Sequence, residues 1–80
     1  MTDKYSMVKI NESRNEFEAL LRIYGISNLK LCKIMGVNPA TSRKYIEDPT
    51  LIRFIHAHRL SQSIGLRVQD IVDTIVYDLN

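Results

Sequence analysis

Eighty residues make one domain with a single modest core of four or five helices, and 45% hydrophobic with 25% charged residues is ordinary globular composition, which excludes a wholly disordered chain. No run approaches the ~18 apolar residues of a membrane helix, MTDKYSMVKI lacks the apolar stretch of a secretory signal, and the lone Cys32 offers no disulfide framework, so a reducing cytoplasm is expected. The net charge of +2 is unevenly spread: Ala19 to Arg67 holds eight basic residues against Glu47 and Asp48, while residues 1–18 carry −1 and residues 68–80 carry −3, a basic middle suited to a polyanion.

Residues 1–12 show no sustained helical period; Met7 to Ile10 fits a short strand or an ordered arm, and the domain proper is expected over 13–80. Ser13-Arg14-Asn15-Glu16 has the S-x-x-E spacing of a capping box. Phe17, Leu20, Leu21 and Tyr24 follow as one apolar stripe, and Gly25 can close the helix in a left-handed conformation, which predicts a helix over 14–24. Ser27 can cap a second helix over 28–35, with Leu31, Ile34 and Met35 inward and Gly36 as its stop. Asn38-Pro39 is the strongest start signal of the chain, an asparagine cap followed by proline where its missing N–H costs nothing. That third helix should run to Glu47, because Pro49 disfavours helical geometry at Asp48. Thr50 can cap a fourth, over 51–64, with Leu51, Phe54, Ile55, Leu60 and Ile64 inward and Gly65 closing it. Val68, Ile71, Val72, Ile75, Val76 and Leu79 then line one face of a fifth, over 68–78, opposite Gln69, Asp70, Asp73 and Asp78. The class is all-α, a compact four- to five-helix bundle.

The informative stretch is Ser27 to Ile46. Two short helices flank Gly36-Val37-Asn38, in which glycine permits a positive φ, valine plugs the space between the helices and asparagine caps the second. With Leu31-Cys32, the Gly36-Val37 turn, the Asn38-Pro39-Ala40-Thr41 helix start and the Tyr45-Ile46 pair, this stretch resembles the lambda-repressor/Cro-like helix-turn-helix family. The likeness extends more loosely over residues 14–76, through the number of helices and the Ile64-Gly65-Leu66 junction before Asp70-Ile71. It implies a helix-turn-helix at about 27–47 whose second helix enters the major groove of double-stranded DNA. By position, it places Asn28 and Asn38 near phosphates, Ala40 and Lys44 at base edges and Arg43 on a phosphate or base, with Thr41 packing, capping or touching DNA. Lys30 and Lys33 add non-specific phosphate attraction. It also implies a homodimer through the region of the last helix, where six aliphatic residues exceed what a small core covers. Three departures stand out: Ser42 replaces an inward aliphatic residue, Pro39 brings no donor to a position that often contacts bases, and the loop after the third helix shrinks to Asp48-Pro49.

These residues also have plainer readings. Arg43 and Lys44 can be an exposed helix face, Cys32 a small buried residue in place of alanine, and the central charge a solvated surface. His56 and His58 point about 200° apart on a helix and cannot clamp one metal unaided. No glycine-rich phosphate loop, H-E-x-x-H or nucleophile with an adjacent base is visible, so an enzyme is not expected, nor a cofactor, a small-molecule ligand or a membrane. The sequence reads as a phage or bacterial repressor of the Cro type. The alternative is a protein-binding module, an anti-repressor or accessory factor on the same fold; an RNA-binding domain lacks an aromatic stacking platform.

Overall fold

The computed structural model describes residues 13–77 and Leu79; the arm expected over residues 1–12, and Asp78 at the end of the last helix, lie outside them. Five α-helices follow one another among the described residues: α1 (Glu16–Ile23), α2 (Asn28–Met35), α3 (Pro39–Glu47), α4 (Phe54–Ile64) and α5 (Val68–Tyr77). A single 3-10 turn, Pro49–Leu51, joins α3 to α4. The fold is the expected all-helical bundle, and no described helix is long and apolar enough to cross a membrane.

α1 starts two residues later than its sequence suggests. Asn15, not Ser13, is the cap: its side-chain oxygen accepts from Glu18 N at 2.7 Å. Its amide nitrogen donates to Ile46 O at 2.7 Å, so the same residue fastens α1 to the end of α3. That tertiary bond selects Asn15 over the serine of the S-x-x-E motif. At the other end Ile26 N reaches Leu21 O at 2.8 Å and Gly25 N reaches Arg22 O at 3.1 Å, with Gly25 at φ +68°. This is a Schellman closure, and it drives Ile26 into the core while Tyr24, expected inside, is 41% exposed.

α2 and α3 have the expected bounds. Ser27 accepts from Lys30 N at 3.2 Å and Asn38 from Thr41 N at 2.8 Å, so each cap satisfies a donor the helix leaves open. α4 departs from expectation. Asp48 takes Thr50 as its own partner, accepting from Thr50 N at 3.2 Å, and so opens the 3-10 turn. Ile52 is extended, and α4 begins at Phe54 behind Arg53, which makes no side-chain cap bond. The detour resets the helical phase. Ala57, Leu60 and Ser61 face the core with Ile64 half-buried, while Leu51, Phe54 and Ile55, expected inward, are exposed.

Phe17, Leu31, Met35, Leu60 and Ile71 form the centre of the core, each fully buried and drawn from a different turn of the bundle. α2 packs on both α3 and α4, and α5 closes the far side against α1 and α4. Only Ile71 of the α5 stripe is fully buried; Val68, Val72 and Ile75 are half-buried, and Val76 and Leu79 are exposed. Burying the side chain of one such leucine or phenylalanine contributes about 1.5–3 kcal/mol, which makes these few positions decisive in so small a domain.

Candidate nucleic-acid interface

The turn between α2 and α3 is fixed from behind. Gly36 has φ +76°, a conformation that costs most other residues about 1–2 kcal/mol. A Cβ there would also lie 2.8 Å from Arg59 Nη1. That nitrogen reaches over from α4 and donates to Met35 O at 2.8 Å, satisfying a carbonyl that the end of α2 leaves free. Val37 packs half-buried against the core, as expected of the plug.

Ser42 holds its buried position through its hydroxyl. It is fully buried, and its hydroxyl lies 2.6 Å from Asn28 Oδ1, 3.1 Å from Pro39 O and 3.4 Å from Asn28 O. Asn28 in turn donates from Nδ2 to Pro39 O at 3.4 Å. A polar bridge therefore joins the start of α2 to the first turn of α3. Because Oδ1 is occupied by the serine, Asn28 turns its amide nitrogen, a donor, along the start of α3.

The back of α3 is tied to α4 by a 2.9 Å hydrogen bond between the Tyr45 hydroxyl and His56 Nδ1, with the rings 5.7 Å apart. Burial, and then the charges of Arg59 and Arg53, lower the His56 pKa and so favour the neutral imidazole. Histidine here is a boundary residue with a defined partner, whereas His58 is exposed and stacks on Phe54.

The front of α3 is different in kind. Ala40, Arg43 and Lys44 are exposed at i, i+3 and i+4, and therefore share one face. Asn38 is exposed at the helix start and Thr41 is half-buried, its backbone N–H held by Asn38. Lys30 and Lys33 are exposed on α2 at i, i+3 spacing. None of Lys30, Lys33, Arg43 and Lys44 holds an ion pair among the described residues.

Sequence reasoning missed the neighbours of this face. An open cleft of about 360 Å³ lies where α1, the start of α2 and α3 meet, and Arg14, Arg22 and Arg43 line it beside Glu18 and Glu47. Arg14 bonds Glu18 at 3.2 Å and lies 3.7 Å from Glu47; Arg22 lies 3.7 Å from Glu18. Burial works to raise the Glu18 pKa, but the hydrogen bonds and charge of Arg14, joined by the charge of Arg22, outweigh it and hold the carboxylate below its ordinary range. The spacing of Arg14, Glu18 and Arg22 in fours was readable as one helix face. Its meeting with Arg43 and Glu47 was not, because that depends on how α1 crosses α3. Comparison with known protein families, curated proteins and solved structures returned no match.

Proposed function

We propose that this chain is a sequence-specific double-stranded-DNA-binding transcriptional regulator of the phage or bacterial Cro/repressor kind. In this reading α2, the Gly36-Val37-Asn38 turn and α3 act as a helix-turn-helix, with α2 bracing across the backbone and α3 entering the major groove. The observation that carries it is the face of Ala40, Arg43 and Lys44: two cations without carboxylate partners among the described residues, on a helix locked from behind by Ser42, Tyr45 and their partners. Arg43 and Lys44 can donate to guanine O6 and N7 or to phosphate, and Ala40 can pack on a thymine methyl. Asn28 and Asn38 serve as neutral phosphate donors, Thr41 supports the helix start, and Lys30 and Lys33 draw the backbone in. The protein binds its operator as a homodimer, on half-sites about 34 Å apart, and acts in a cytoplasm by excluding polymerase from a promoter.

A second reading, a protein-binding module on the same fold, is favoured by one observation. Pro39 is exposed at the first position of α3, where it offers no donor.

Fluorescence anisotropy with duplexes spanning the upstream region of the protein's own gene separates the two. Selective binding should persist at near-physiological salt, and Lys44→Ala and Arg43→Ala should each cost about 1–3 kcal/mol and lower the salt slope by about 1 where a phosphate contact is lost. Weak binding that vanishes with salt and ignores both substitutions would transfer the assignment to the protein-binding module.

A further inference from the structure

Asn28 has one more donor than the bundle uses. It is the first residue of α2, half-buried, and it lines the cleft between α1, α2 and α3 together with Ser27 and Arg43. Its amide nitrogen carries two hydrogens. One meets Pro39 O at 3.4 Å, and the other has no partner among the described residues. Its oxygen, by contrast, is held from within: Ser42 Oγ lies 2.6 Å from Oδ1, the shortest of the three approaches that hydroxyl makes.

The two ends of this amide are not interchangeable. Exchanging them would set Oδ1 against Pro39 O at 3.4 Å, two acceptors with no hydrogen between them. A serine hydroxyl has a single hydrogen, and the fully buried Ser42 directs it at Oδ1. The oxygen of Asn28 is thereby turned inward, and the nitrogen is left on the side of the exposed Pro39 and Ala40. An aliphatic side chain at position 42 could fix neither end.

We propose that Ser42 is a positioning residue for backbone recognition, holding Asn28 so that the start of α2 offers a donor, never an acceptor, to a phosphate of double-stranded DNA. The proposal rests on the DNA-binding reading above. Phosphate oxygens accept hydrogen bonds, so a free N–H attracts them and an amide oxygen in the same place would repel them. Arg43 lines the same cleft without an ion pair among the described residues, and it supplies the charge that a neutral amide lacks. Fixing the amide before the duplex arrives also removes a rotamer that binding would otherwise have to freeze. Ser42 is fully buried and acts only through Asn28.

A methylphosphonate scan of an operator half-site, in which each backbone phosphate is made neutral in turn, tests this by fluorescence anisotropy on the full chain. Asn28→Ala should weaken binding about two- to tenfold and become indifferent to neutralisation of one phosphate to which the parent responds. Ser42→Ala should become indifferent to the same phosphate, and the double variant should bind no more weakly than Asn28→Ala alone. Ser61→Ala is the control. It removes the other fully buried serine hydroxyl, bonded to His58 O within α4, and should keep the profile of the parent. A parent-like profile in Asn28→Ala or Ser42→Ala, a further loss from Ser42→Ala in the Asn28→Ala background, or the same altered profile in Ser61→Ala would each overturn the proposal. A parent that binds no duplex selectively overturns the DNA-binding reading and this proposal with it. The other outcomes are read on a parent that binds, and so fall on Ser42 alone.

Discussion

A fully buried hydroxyl is tolerated when its hydrogen has an acceptor, and Ser42 meets that condition on Asn28 Oδ1. The pair therefore behaves as one unit. Ser42→Ala should destabilise the fold by about 1 kcal/mol, because it leaves the asparagine oxygen without its donor. Asn28→Ala should cost a similar amount, and the double variant clearly less than the two together. Urea denaturation of the four proteins gives the coupling; strict additivity would show that the 2.6 Å contact contributes nothing. A sequence cannot show this bond, since residues 28 and 42 are linked only by the way α2 and α3 cross. From the chain alone Ser42 reads as an anomaly in an apolar position.

At the scale of elements, legibility followed the strength of local chemistry. α2 and α3 could be bounded from Ser27, Gly36 and Asn38-Pro39 because each end carries its own signal within one turn. α4 could not. Its buried residues are Ala57, Leu60 and Ser61, two of them small, with Ile64 half-buried behind them, whereas Leu51, Phe54 and Ile55 are bulkier and attract an inward reading. Ser61 can face inward because its hydroxyl bonds His58 O at 2.7 Å within the helix. α1 illustrates a third case, in which two caps compete locally and a distant carbonyl, Ile46 O, decides. The same helix carries a pH signature. The Glu18 pKa is lowered from 4.5 in the folded protein, so the stability it contributes is complete above about pH 4.5 and is lost as pH falls through the folded value. Glu18→Gln should therefore be less stable than the parent at pH 7, by about 1 kcal/mol, with the gap narrowing towards pH 3. Thermal melts across that range check it, and a gap independent of pH would assign the loss to packing.

For the molecule as a whole, the distribution of charge outweighs its sum. A net +6 over residues 19–67 sits between segments of −1 and −3 along the chain, and four of its eight cations, Lys30, Lys33, Arg43 and Lys44, lie on α2 and α3. On the DNA-binding reading, Lys30 and Lys33 supply general attraction to phosphate and not base selection. The Lys30→Ala/Lys33→Ala protein should bind every duplex more weakly by a similar factor and show a salt slope shallower by about two. Unequal losses between operator and random duplex, measured by competition, would move one of these lysines to the base edges. The charged face of α3 was readable from spacing, because Arg43 and Lys44 carry their charge in the sequence itself and such side chains are seldom fully buried without a partner. The Arg59 brace and the exposure of Leu51, Phe54 and Ile55 were not, because both depend on where the 3-10 turn aims α4.

Cys32 gives the bundle a built-in clock. Its thiol is buried on α2 and its Sγ lies 3.0 Å from Leu29 O, so a labelling reagent reaches it only when α2 lifts away from its neighbours. The rate of alkylation in the native protein then measures how often that local opening occurs, separately from global unfolding. Since α2 is held by Arg59 at its end and by Ser42 at its start, a ligand that grips both helices slows the reaction in proportion to how tightly it binds. One sulfur atom, read through its alkylation rate, reports whether such a ligand is bound.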